Sequence, residues 1–210
     1  MNLKDRVSLF ENELSFFING SIRDFAVFCL DKLPEYYFHV PASASGKYHP
    51  TYALGEGGLV RHTKAAMGIC QELIKASVHV YFPSQYGLSP EEMADACLLA
   101  LLLHDGLKLG SGEPIADENG ETHTLHEHPL LAASFVRGSL ASYLEENDIN
   151  AYDITIIEAA INAITTHMGR YTVSSRSSTV LPSPASGDWC QKLVHICDLL
   201  ASRKQLEYIF

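Results

Sequence analysis

Hydrophobic and polar positions along this chain recur mostly with a helical period. Over residues 3–18, Leu3, Val7, Phe10, Leu14 and Phe17 return every three or four positions between charged ones. This predicts an amphipathic helix that Asn19-Gly20 ends. Ser21 caps a second helix to Leu33, with Phe25, Phe28 and Cys29 along it and Pro34 as the stop. Residues 39–58 carry Pro, Ser, Gly and two histidines and read as a loop. Gly57-Gly58 opens a helix from Leu59 to about Val80. Ser89-Pro90-Glu91-Glu92 is a start signal, with a Ser cap, Pro in the first turn and Glu at the third position, for a helix to His104. The end of that helix, Leu98-Leu99-Ala100-Leu101-Leu102-Leu103, is apolar on every side, which places it at the centre of a core.

Residues 109–124 are polar and glycine-bearing, a loop or short hairpin. A helix follows from about His128 to Glu145. Asp153 caps a segment with Ile154, Ile157, Ala160, Ile161 and Ile164 at helical spacing, which reaches Thr166-His167 and stops at Gly169. The Ser- and Pro-rich stretch 172–187 is a long flexible loop. Asp188, with Gln191 three residues on, caps a last helix to about Tyr208. The sum is an all-α bundle of six or seven main helices, with at most a short β-hairpin near 111–124. It reads as a single domain over 1–210, in which residues 1–56 pack as N-terminal helices and loop on a core of 57–205.

Composition narrows the chemistry. Hydrophobic residues make up 47% of the 210, enough for a sizeable core. No apolar run is long enough to cross a bilayer, and the charged start Met1-Asn2-Leu3-Lys4-Asp5-Arg6 lacks a signal-peptide core. The five cysteines, Cys29, Cys70, Cys97, Cys190 and Cys197, are odd in number and lack C-x-x-C spacing, so buried reduced thiols and a cytoplasmic location are expected. A formal net charge of −10 argues against wrapping long nucleic acid but leaves room for a small phosphorylated ligand beside a metal. The apolar N-terminal helices pack either internally or against a second copy of the chain.

Ten histidines are the informative surplus. His104-Asp105 ends the apolar helix, where polar groups need partners. His62 lies one turn into its helix. Asp198 sits in Val194-His195-Ile196-Cys197-Asp198-Leu199-Leu200, where a lone carboxylate is costly. These four side chains can converge on one divalent cation, and imidazole with carboxylate suits Mn, Fe, Co, Ni or Zn. His195, three residues before Asp198, reads as packing or as support for that carboxylate, and His39, His49 and His79 as loop or structural residues. Lys47 and Tyr48 read as loop, and Tyr36-Tyr37-Phe38 as packing.

The order His62 … His104-Asp105 … Asp198 resembles the HD-domain superfamily of metal-dependent phosphohydrolases. Gly57-Gly58-Leu59-Val60-Arg61-His62, His104-Asp105-Gly106-Leu107-Lys108 and the late Asp198 carry the resemblance, over roughly residues 57–205. It implies an HD-like bundle with the metal site at its centre. His128 and His167 resemble second-site ligands of the superfamily and hold a second metal or a phosphate oxygen, although Thr166 stands where some two-metal relatives have another histidine. The implied reaction is hydrolysis of a phosphate ester or anhydride in a small nucleotide-like substrate by metal-activated hydroxide. Asp105 orients the attack or takes a proton, Lys108 places positive charge near phosphate, and Arg61 and Arg170 supply phosphate contacts. The loop 172–187 closes over the substrate. Two other classes fit the same residues: a nucleotide-binding sensor without turnover, and a di-iron oxygenase on an HD-like scaffold.

Overall fold

A computed structural model describes residues 1–43, 46–47, 49–76, 86–114, 116, 122–185 and 188–204. Tyr48, His79, the helix ends expected at Val80 and Tyr208, and part of the 111–124 segment lie outside the described residues. The described elements are α1 (Leu3–Leu9), α2 (Glu11–Leu14), α3 (Gly20–Lys32), α4 (Gly58–Ala76), α5 (Pro90–Leu103), α6 (His128–Leu144), α7 (Ala151–Thr166) and α8 (Trp189–Ala201). Short 3-10 turns at Glu35–Phe38 and Thr51–Ala53 join α3 to α4. The fold is an all-α bundle. Among the described residues, the sole β feature is an isolated bridge between Ser174 and Ser177.

The apolar helix is the hub. Every residue of α5 from Met93 to Leu103 is buried, Asp95 included. It packs against α3, α4, α7 and α8. Its start follows the local code: the Ser89 hydroxyl accepts from Glu92 N at 3.3 Å, and the Glu92 carboxylate accepts from Ser89 N at 2.7 Å. Asp188 likewise caps α8 by accepting from Gln191 N at 2.8 Å. The five cysteines are buried and free of disulfides. No helix is long and apolar enough to cross a membrane among the described residues.

Five expectations from the pattern change. The continuous helix over 3–18 breaks at Phe10, whose backbone turns to φ −115° and ψ 16°. The turn drives Phe10 fully into the core, where its ring stacks on Tyr37 at 6.5 Å. Asn19 rather than Ser21 caps α3, and Asn150 rather than Asp153 caps α7. Asp153 instead accepts from Asn19 Nδ2 at 2.7 Å, joining the two helix starts. α8 ends at Ala201, short of the expected Tyr208: Ser202 turns to φ −91° and ψ 10°, and Arg203 N–H donates to Leu200 O, three residues back, at 3.1 Å. The 172–187 loop is tied down over its described part. Leu181 N donates to Thr172 O at 2.8 Å, the Thr179 carbonyl meets His126 Nε2 at 3.2 Å, and the Ser177 hydroxyl bonds the Glu127 carboxylate.

Candidate metal centre

Four helices and the turn after α5 deliver the site. His62 rides on the first turns of α4, and the Gly-Gly before it has a structural reason. Gly57 adopts φ +68°, which a side chain resists, and a Cβ on Gly58 would overlap the Ala53 carbonyl. The loop before α4 can therefore press onto its first turn. His104 caps the C-terminus of α5 and Asp105 follows it. His128 opens α6, His167 caps α7, and Asp198 projects from α8.

All of these side chains are buried except Asp198, which is 19% exposed. His62 Nε2 lies 3.0 Å from Asp198 Oδ1 and 3.9 Å from Asp105 Oδ2. His104 Nε2 is 3.5 Å from both carboxylates. The other oxygen of Asp105 faces His128 Nε2 at 3.1 Å and His167 Nε2 at 3.9 Å. Three sets of donor atoms gather within 4.8 Å of one another: His62, His104 and Asp105; His104, His167 and Asp198; Asp105, His128 and His167. Asp105 thus belongs to two sets, one through each side of its carboxylate.

The imidazoles are oriented by the backbone. His104 Nδ1 meets Leu101 O at 2.7 Å, His128 Nδ1 meets Leu125 O at 2.6 Å, and His167 Nδ1 meets Ile164 O at 2.7 Å. A carbonyl only accepts, so each Nδ1 carries the proton and each Nε2 points a lone pair inward when the ring is neutral. This is the arrangement in which a ligating histidine is held by its other nitrogen. His104 Nε2 is buried and has no hydrogen-bond partner among the described residues. His128 and His167 bring their Nε2 atoms to 3.1 Å. Two lone pairs at that distance need a proton or a cation between them. The donor set therefore fits a divalent metal: inward nitrogens, two carboxylates and an orphaned buried Nε2.

The electrostatics agree. Burial pushes Asp105 up, but Lys108, His104 and His128 outweigh it and hold the carboxyl well below its ordinary range. Asp198 is likewise raised by burial and pulled down further by His104 and His62. Burial disfavours charge on His104, yet Asp105 and Asp198 outweigh it and raise its pKa. His167 is driven down to about 3 by burial, then by His104 and His128, and stays neutral.

The cluster forms one wall of a cavity of about 540 Å³, in the size range of small-molecule sites. Asp105, Lys108, His128, His167 and Asp198 line it, and Lys108 Nζ reaches Asp105 Oδ2 at 2.5 Å. Neither arginine expected at phosphate lines the cavity itself. The Arg61 guanidinium donates to Tyr52 O at 2.5 Å and Leu54 O at 2.8 Å, bracing the loop before α4. Arg170 is exposed and lies against Tyr171. Arg203 is the arginine that lines the cavity, together with His49, Tyr171 and His195. His49, read from sequence as a loop residue, approaches the His62 ring at 5.6 Å. His195 donates Nδ1–H to His167 O at 2.7 Å, and its ring covers Gly169, where a Cβ would overlap it. The spacing of His195 to Asp198 put them on one helix face, so that placement was within reach. His49, Tyr171 and Arg203 lie in loops or past a helix end, where periodicity carries no signal.

No protein-family model, curated protein or solved structure matches this chain.

Proposed function

We propose that this protein is a metal-dependent phosphohydrolase of the HD-domain type, acting on a phosphate ester or anhydride in a small nucleotide-like molecule. The observation that carries the reading is the convergence of His62, His104, Asp105 and Asp198 with an unsatisfied His104 Nε2 among them. Those four residues would hold a divalent cation of the Mn, Fe, Co, Ni or Zn kind. When bound, such an ion supplies Lewis acidity: it acidifies a water and draws charge from a phosphate oxygen. His128 and His167, across Asp105, would take a second ion or a phosphate oxygen.

The chain's own groups do the rest. Asp105 presents oxygen on both sides and can orient the attacking water or receive its proton. Lys108, held by Asp105 at the cavity wall, offers a point charge to phosphate. The backbone carbonyls behind His104, His128 and His167 keep the rings from turning as charge develops. The apolar body of α5 keeps bulk water away from the buried end of the site.

A screen of nucleotides with Mn, Co, Ni, Fe and Mg, read by mass, should show metal-dependent release of phosphate or nucleotide. His104→Ala and Asp105→Ala should abolish it while preserving the helical circular-dichroism signal. Activity that survives both substitutions would overturn the reading.

A further inference from the structure

One part of the cavity wall is aromatic and cationic rather than metal-binding. Tyr171 lines the cavity and remains 42% exposed. An exposed tyrosine alone is ordinary. This one is held by its chain neighbour and by a residue just past α8. Arg170 donates to its Oη at 3.1 Å, and Arg203, just past α8, donates to the same oxygen at 3.4 Å. Arg170 also sits over the ring, 5.1 Å from its centroid. The ring is therefore held at the cavity by its hydroxyl, with guanidinium charge beside it, and is not drawn into the core. Arg203 shares the same wall and commits one corner of a five-donor fork.

We infer that Tyr171 is the platform of a nucleobase subsite, held in place by Arg170 and Arg203. The inference rests on the phosphohydrolase reading for the phosphate end of the ligand, which lies with Lys108 and the His/Asp cluster. A planar base stacks on Tyr171 while the phosphate reaches the cluster. Stacking accepts any base, because every base has a π-face. The ligand class is thus a nucleotide rather than a sugar phosphate or inorganic phosphate.

The test is binding without turnover. The 5′-phosphonate analogues of AMP and of ribose 5-phosphate carry CH2 in place of the ester oxygen. Titrated calorimetrically into the full chain with Mn, the adenosine analogue should bind about 10-fold tighter than the base-free one, the size of one base–aromatic stack. Tyr171→Ala should bring the ratio to about 1, and Tyr171→Phe should keep most of it, since the ring survives. Equal binding of the two analogues, binding of neither, or a preference that persists in Tyr171→Ala would overturn the subsite. Hydrolysis is not part of this readout. A wild-type preference without any turnover would sink the phosphohydrolase reading and leave the subsite standing.

Discussion

At the scale of single residues, the chain concentrates unlike charges on a few acceptors. Glu35 is the clearest case away from the site. It receives the N-terminal ammonium at 2.5 Å, Arg6 Nη2 at 2.8 Å and His39 Nε2 at 3.3 Å. The N-terminal ammonium above all, with His39 and Arg6, brings its pKa down from 4.5 to about 2. A depressed carboxylate stabilises the fold fully above its unfolded pKa and loses that contribution as pH falls through the folded value. Urea midpoints of the wild type should therefore drop faster than those of Glu35→Gln between about pH 4.5 and 2. Parallel curves would show that the three contacts do not act in solution. Residues of this kind are hard to read in sequence, since Glu35 and Arg6 are 29 positions apart. The residues of the candidate metal centre are easier. A His-Asp pair closing an apolar helix, and an Asp inside another, stand out because burial without partners is costly.

At the scale of elements, local signals set most helix starts, and tertiary packing sets the departures. The capping box at Ser89 and the cap at Asp188 lie where the residue order puts them. The break at Phe10 does not, because a helix through it would satisfy the same periodicity. The turn instead sets the Phe10 ring against Tyr37. Arg6 strengthens that corner by donating to the carbonyls of Leu30, Asp31 and Leu33 at 3.1, 2.7 and 2.8 Å, at the C-terminal end of α3. Those C-terminal carbonyls would otherwise lack donors. The hub helix should be the most sensitive element. Leu99 has no exposed surface, so Leu99→Ala should destabilise by about 2–5 kcal/mol in denaturant unfolding, the range for enclosed leucines. A loss below about 1 kcal/mol would mean that the bundle relaxes around α5 far more than a packed core does.

At the scale of the whole molecule, the site is a meeting point rather than a motif. α4, α5, α7 and α8 pack against one another, and their ends bring His62, His104, His167 and Asp198 together. Binding to the folded state alone stabilises by mass action, about 2.7 kcal/mol at a hundredfold excess over Kd. Mn or Zn at that excess should therefore raise the thermal midpoint by roughly 5–10 °C relative to chelator-treated protein. His104→Ala should show no such rise. An equal rise in the variant would place the ion elsewhere.

The donors are strewn from position 62 to position 198 of the chain. A ribosome must pass position 198 before the last carboxylate can dock. A nascent chain paused after α7 holds the histidines and Asp105 but lacks Asp198, so it should capture metal only weakly. Tight metal uptake would then mark the moment α8 seats against the rest of the bundle.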